Sequence, residues 1–189
     1  MLRKIVVIGP ESTGKSTLCG ELARHYDTLW CPEYAREYLT IHGTNYDYDD
    51  LLTIAKGQVQ LEEKFELRVR DQVSEVSSNL TAQSSQLLFI DTDMYVMKVW
   101  CQFVFGKCHQ FILDQIKVRK YDLYLLCNID LEWVPDKLRE YPDLATRKKL
   151  YEIYKALLQR QATPWIEISG NSDQRLRTSI EAVNSLFIE

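Results

Sequence analysis

Lys4-Ile5-Val6-Val7-Ile8-Gly9-Pro10-Glu11-Ser12-Thr13-Gly14-Lys15-Ser16-Thr17 is the stretch that decides the fold. Lys4 to Ile8 reads as a buried strand. Gly9 to Ser16 fits the G-x-x-x-x-G-K-[S/T] pattern at every fixed position. Ser16 to Tyr26 continues as a helix with Leu18, Leu22 and Ala23 on one face. Strand, glycine-bounded loop and helix is the context in which this pattern cradles phosphate. Glycines let the loop curl so that backbone N–H groups turn inward, and the following helix adds the positive end of its dipole. Gly9, Pro10, Glu11, Ser12, Thr13, Gly14, Lys15, Ser16 and Thr17 are therefore the candidate ATP-binding set. Lys15 is expected to reach the β- and γ-phosphates as a catalytic cation, and the Ser16 hydroxyl to ligate Mg²⁺.

The loop alone does not decide the chemistry, because GTPase switches, ATPase motors and small-molecule kinases share it. A GTPase carries an Asn-Lys-x-Asp element for guanine, and this chain has none. A hydrolysing motor ends its third strand in paired acids, the second activating water. Here that strand reads Phe89-Ile90-Asp91-Thr92-Asp93, with Thr92 in the second place. A kinase must exclude water until its acceptor binds, so the missing acid suits a kinase. Asp91, at the end of the strand, is assigned to Mg²⁺. Asp93 points the same way if the strand persists and then touches substrate or takes its proton; the competing role is a cap for the next helix. Glu33 follows the second strand at the same edge and is a candidate general base. Arg36 is a candidate for a phosphate or a substrate hydroxyl, against a plain surface ion pair.

Working outward, Thr28 to Cys31, Gln86 to Asp91, Leu123 to Asn128 and Trp165 to Ser169 read as further strands. Tyr34 to His42, a long run from Asp47 to about Asn79, Met94 to Phe105, Leu144 to Gln161 and Ser172 to Leu186 read as helices. The alternation predicts an α/β P-loop three-layer sandwich, a five-stranded parallel sheet of order 2-3-1-4-5 with helices on both faces. Residues 1–189 read as one domain. Residues from about 130 to 147, of which Asp130 to Pro142 is charged and carries two prolines, read as a loop or lid. Its Arg139, and after it Arg147, would neutralise γ-phosphate charge, with a solvated charge run as the competing reading. Tyr34, Tyr38, Trp100 and Trp133 are candidates to stack on a base, and a cationic ring such as nicotinamide gains from an aromatic face.

The formal net charge of −4 argues against a nucleic-acid partner. No stretch is apolar and long enough to cross a bilayer. Five scattered cysteines without a Cys-x-x-Cys pair suit reduced thiols in the cytoplasm. Asn79-Leu80-Thr81 matches a glycosylation acceptor but lacks a secretory context. The charged helix from Leu51 to Asn79 suits either a homodimer face or solvent.

Five blocks together resemble the ribosylnicotinamide kinase domain of the bifunctional NAD-salvage proteins, a P-loop kinase group near the AAA-type ATPases. They are Gly9 to Thr17; Glu33-Tyr34-Ala35-Arg36-Glu37; Phe89 to Asp93 running on to Cys101; Gly106-Lys107 with His109; and Trp133 with Asp136 and Arg139. Pro164 to Ile168 and Arg175 are also similar. The resemblance implies ATP-dependent phosphorylation of the ribose 5′-hydroxyl of nicotinamide riboside. Glu33, Tyr34, Arg36, Asp93 and Trp133 are then the candidate substrate contacts. It also implies an adenine contact by the turn Ser169-Gly170-Asn171. The chain departs from the family pattern at Lys137, where a glycine is expected, and from Met94 to Met97, where smaller or polar residues are expected. A changed pocket there would mean a different nucleoside. The 189 residues leave no room for the family's adenylyltransferase, so a separate protein would complete NAD salvage. An ATP-binding regulatory module without a small acceptor is the alternative from another class.

Overall fold

Alternation of apolar side chains along the central strands sets the architecture. The computed structural model describes residues 2–75 and 87–187. In chain order the elements are β1 (Arg3–Ile8), α1 (Lys15–His25), β2 (Leu29–Cys31), α2 (Tyr34–His42), α3 (Tyr48–Glu75), β3 (Leu87–Asp91), α4 (Met94–Phe105), α5 (Gln110–Val118), β4 (Leu123–Cys127), α6 (Leu144–Gln159), β5 (Trp165–Ile168) and α7 (Ser172–Ser185). The five strands form one sheet in the order β2-β3-β1-β4-β5, and every neighbouring pair is parallel. The expected sheet order is thus observed.

Val6, Ile8, Leu88, Ile90, Tyr124 and Leu126 face one way, against α4 and α6. Ile5, Val7, Leu87, Phe89, Leu123 and Leu125 face the other way, against α1 and α7. Both faces are dry because parallel strands are covered by their crossover helices. A third apolar cluster, off the sheet, joins α2, α3, α4 and α5 through Ala35, Leu51, Ile54, Met94, Met97 and Ile112.

The ends of the helices follow local chemistry. The Asp47 carboxylate accepts from the N–H groups of Asp49 and Asp50, while Asp50 accepts from Asp47 N, a reciprocal cap at the start of α3. Asp143 caps α6 through Thr146 N. Asn171 and Gln174 form a capping box on α7. Helix α5 is absent from the sequence reading: only its Ile112 is buried, so its apolar period is weak. The far end of the long helix near Asn79, the Gln86 strand start and the Asn79-Leu80-Thr81 triplet lie outside the described residues.

Candidate active site

The exits of β1, β2, β3 and β4 gather at one edge of the sheet, where open α/β sheets bind ligands. The loop after β1 requires glycine at both ends. A Cβ on Gly9 (φ 145°) would stand 2.7 Å from the Cys127 carbonyl oxygen, and Gly14 serves as N-cap of α1 at φ 76°. Thr13 Oγ1 donates to Pro10 O at 2.8 Å and cinches the turn. Helix α1 has no acidic residue in its first turn and no side-chain cap. Its N-terminal amides and dipole are therefore uncompensated by their own helix, which suits an anion. Lys15 Nζ donates to Pro10 O at 2.9 Å, which holds the ammonium over the loop.

Ser16 Oγ donates to Asp91 Oδ2 at 2.5 Å, while Asp91 Oδ1 is buried without a hydrogen-bond partner among the described residues. Burial pushes the Asp91 carboxyl up, and the charge of Glu33 adds to it; Lys15 and the Ser16 hydroxyl pull the other way. Glu33 occupies the N-cap position of α2 but makes no side-chain cap. Its carboxylate instead accepts from Thr92 Oγ1 at 3.3 Å, and it lines the cleft beside the P-loop.

Asp93 goes elsewhere. Strand alternation predicts that Asp91 and Asp93 share a side, but β3 ends at Asp91 and Thr92 takes φ 77°. That backbone is costly for a β-branched residue, on the order of 1–3 kcal/mol, and it breaks the alternation. Asp93 caps α4, accepting from Tyr95 N at 2.9 Å and Val96 N at 3.3 Å, and its other oxygen accepts from Tyr124 Oη at 2.8 Å. Of its two expected roles the structure builds the cap, and the carboxylate lies outside the P-loop cleft.

The segment between β4 and α6 lies over the loop. Ser12 Oγ accepts from Val134 N at 2.9 Å, and the Glu11 carboxylate accepts from Glu140 N at 2.9 Å and Tyr141 N at 3.2 Å. Burial raises the Glu11 carboxyl, and those two amides partly offset it. Arg36 pairs with Asp136 at 2.8 Å, fastening α2 to the same segment. Arg139 lines the cleft and donates to the Val134 carbonyl, with Ser12 Oγ 3.4 Å away. Trp133 is not in the cleft wall; its ring is bracketed by the guanidiniums of Arg139 at 5.9 Å and Arg147 at 5.4 Å. Buried Arg147 reaches Ser12 O at 3.4 Å, and its charge is disfavoured by burial and by Arg139. Trp133 thus stands outside the cleft wall with two cations against its ring.

Tyr34 also lies away from the cleft, packed flat against Gly57 of α3. The turn at Gly170 and Asn171 lies outside the cleft walls as well. Gly170 N donates to Asp130 at 2.6 Å, and the Asn171 side chain is used by the α7 cap. What this turn does provide is an anchor for Arg175. The buried guanidinium donates to Gly170 O at 2.8 Å, Thr13 O at 3.0 Å and Asn128 O at 3.0 Å, and pairs with Asp130. One fork thus ties the P-loop to the exits of β4 and β5.

Beyond the loop the cleft, open to solvent, turns apolar. Val96, Val99, Trp100 and Phe103 of α4 face Leu150 and Tyr154 of α6. Trp100 Nε1 donates to Tyr46 Oη at 2.8 Å, and Tyr46 Oη to Glu140 at 2.8 Å, linking this wall to the covering segment. Met94 and Met97, where the chain departs from the family pattern, are buried in the third cluster and line no part of this cleft. Sequence reasoning missed Glu11 as an anchor and the reach of Arg175 to Thr13, whose partners lie more than a hundred residues away, and Tyr154, which only the fold brings to the cleft wall.

The geometry has counterparts in known proteins. The trifunctional NAD biosynthesis/regulator protein NadR of Escherichia coli (strain K12) is 26% identical over the whole chain, which spans 43% of that protein. The NadR of Salmonella typhimurium matches with the same identity and coverage. The chain thus spans under half the length of these curated relatives. Among solved structures, NadR protein in complex with NR superposes at TM-score 0.71 and 21% identity, covering all of this chain and 52% of that one. NadR in complex with NAD and AMP-PNP gives 0.67 at 21% identity, over 100% of this chain and 50% of that one. Thymidylate kinase from Ehrlichia chaffeensis gives 0.64 at 13% identity, covering 96% of this chain and 98% of that one. All three share the fold. A model of the AAA domain matches residues 4–175, from the strand that enters the P-loop to the arginine that anchors it, and the chain belongs to that AAA-domain family.

Proposed function

We propose that this chain is an ATP-dependent kinase that phosphorylates the ribose 5′-hydroxyl of nicotinamide riboside, yielding nicotinamide mononucleotide for NAD biosynthesis. The observation that carries it is one continuous cleft. It runs from the phosphate cradle at Gly9–Thr17, past the carboxylate of Glu33, to an apolar and aromatic end. That is the layout of a donor site joined to an acceptor site, and the NadR relatives and their complexes with NR and AMP-PNP support it.

Phosphoryl transfer needs in-line positioning and charge neutralisation more than covalent help. The P-loop amides and Lys15 hold the phosphates. Glu33 accepts the proton of the attacking hydroxyl, and Arg139 and Arg147 of the covering segment spread over the donor's charge. We read residues 1–189 as one kinase domain with that segment, about 130–147, as its lid. Mg²⁺ fits beside Ser16 Oγ and Asp91, because Asp91 Oδ1 is a buried acceptor without a donor among the described residues. Ser16 and Asp91 would hold the cation, which supplies charge neutralisation to the bound phosphates. We place the protein in the cytoplasm; its five unpaired thiols, four of them buried, and its use of ATP support that. The adenylylation that converts the product to NAD is assigned to a separate catalytic unit.

The test is ADP release with Mg·ATP and a panel of ribonucleosides, deoxyribonucleosides and nicotinamide riboside. The expected result is strong stimulation by nicotinamide riboside. Stimulation by another nucleoside alone would keep the kinase and discard the substrate; ATP binding without any acceptor-dependent ADP would discard both.

A further inference from the structure

We infer that Tyr154 is the acceptor-positioning residue of the cleft, its hydroxyl donating to a ribose hydroxyl of the nucleoside. The inference rests on the kinase reading above. Tyr154 sits on α6, and its ring is packed in the core with only 5% of the residue exposed. The residue lines the P-loop cleft, on the wall shared with Leu150. Its ring is thus fixed by packing, and the remaining freedom is rotation of the O–H bond.

The surroundings of the hydroxyl define what it can bind. No hydrogen bond to it is found among the described residues, and the hydroxyl is not among the fully enclosed polar atoms. The charges that act on it are carboxylates: Glu33 first, then Asp93 and Glu11. Burial and these charges push the phenol up, so it remains an O–H donor at neutral pH. A donor held near Glu33 but bonded to no protein group matches an acceptor that presents one hydroxyl to Glu33 and others alongside. A ribose does this: its 5′-hydroxyl is the nucleophile, and its 2′- and 3′-hydroxyls lie on the same ring. A polyphosphate does not, because the Glu33 carboxylate, the foremost charge acting on the phenol, repels it. The P-loop, Lys15 and Arg139 mark the anionic end of the cleft instead.

Tyr154→Phe tests this, because it keeps the ring and removes only the hydroxyl. Steady-state kinetics are measured for both enzymes with nicotinamide riboside and with its 2′-deoxy and 3′-deoxy analogues. A single neutral hydrogen bond is worth roughly a tenfold change in binding. The expected result is a KM for nicotinamide riboside about tenfold higher in the variant, with the KM for ATP unchanged. The variant should also lose the preference of the wild type for the acceptor over one of the two deoxy analogues, since the hydrogen bond is already gone. An unchanged acceptor KM, equal losses with all three nucleosides, or a raised ATP KM instead would overturn the inference while leaving the kinase standing. Wild-type protein that phosphorylates none of the three would overturn nicotinamide riboside as the acceptor and this inference with it.

Discussion

Substituting Asp93 by Asn should abolish a pH-dependent part of the protein's stability and leave phosphoryl transfer largely intact. Burial pushes the Asp93 carboxyl from an ordinary 3.8 to about 7, against the Tyr124 hydroxyl and the two α4 amides, which favour its ionised form. The native state therefore holds this proton more tightly than the unfolded chain does. The contribution to stability is complete below about pH 4 and disappears as the pH rises through about 7. At about 1.4 kcal/mol per tenfold difference, the full span is on the order of 4 kcal/mol. Asn keeps the cap, because its carbonyl oxygen still accepts from Tyr95 N and Val96 N, and its amide can donate to Tyr124 Oη. Urea unfolding of both proteins at pH 5, 6, 7 and 8 gives the difference curve. Asp91 and the other titrating groups are common to both and cancel. Wild-type stability should fall relative to the variant across that range, by a few kcal/mol in total. A flat difference curve would refute the assignment of a strongly buried, proton-holding Asp93. In the same preparations Asp93→Asn should keep kcat within roughly tenfold, whereas Glu33→Gln should lose on the order of 10²–10⁴ if Glu33 is the base. The reverse pattern would return the base to Asp93.

Lys15→Ala should reduce kcat by roughly 10²–10³ or more with little change in thermal midpoint, since among the described residues its ammonium donates only to the Pro10 carbonyl; near-normal ADP release would sink the P-loop mechanism. Gly57→Ala should lower stability by about 1–3 kcal/mol, despite the higher helix propensity of Ala, because its Cβ would meet Tyr34 Cε1 at 2.1 Å; an unchanged denaturation midpoint would contradict the packing. Arg175→Met should cost about 3–5 kcal/mol, because the guanidinium bonds three carbonyls and Asp130, and it should raise the KM for ATP by loosening Thr13; loss of stability without any change in ATP affinity would show that the fork braces the fold alone.

The sheet was legible because its signal is local. A run such as Lys4-Ile5-Val6-Val7-Ile8 ahead of a glycine-bounded loop has few alternatives, and the repeated strand–helix spacing supplies the rest. The site was legible only as far as the motifs reach. Ser16 and Asp91 are hydrogen-bonded at the end of the P-loop, and Glu33 stands at the cleft. The sequence leaves Asp93 between two roles because the deciding event is the positive φ of Thr92, a residue whose type argues against such a conformation. Trp133 reads as a stacking platform, yet in the fold it stands outside the cleft wall with two arginines against its ring. Glu11, Tyr154 and Arg175 gain their roles from partners brought near by the parallel crossovers, and no pattern within a short window encodes that.

Helix α4 carries the consequence furthest. It is apolar nearly all round, so its period does not reveal which stripe meets the cleft. The chain's departures from the family pattern at Met94 to Met97 read as a change of pocket. In the fold, Met94 and Met97 belong with Cys101 to the stripe that packs against α2, α3 and α5. Val96, Val99, Trp100 and Phe103, spaced as neighbours on the opposite stripe, line the cleft. Substituting Met97 alters the packing beneath the site and reaches the acceptor only through shifts of the helix. Substituting Val99 or Phe103 alters the wall itself. Of the departing positions, Val96 thus lines the cleft while Met94 and Met97 pack beneath it, and on the kinase reading enlarging Val96 or Val99 should change which nucleoside stimulates ADP release where conservative changes at Met97 do not.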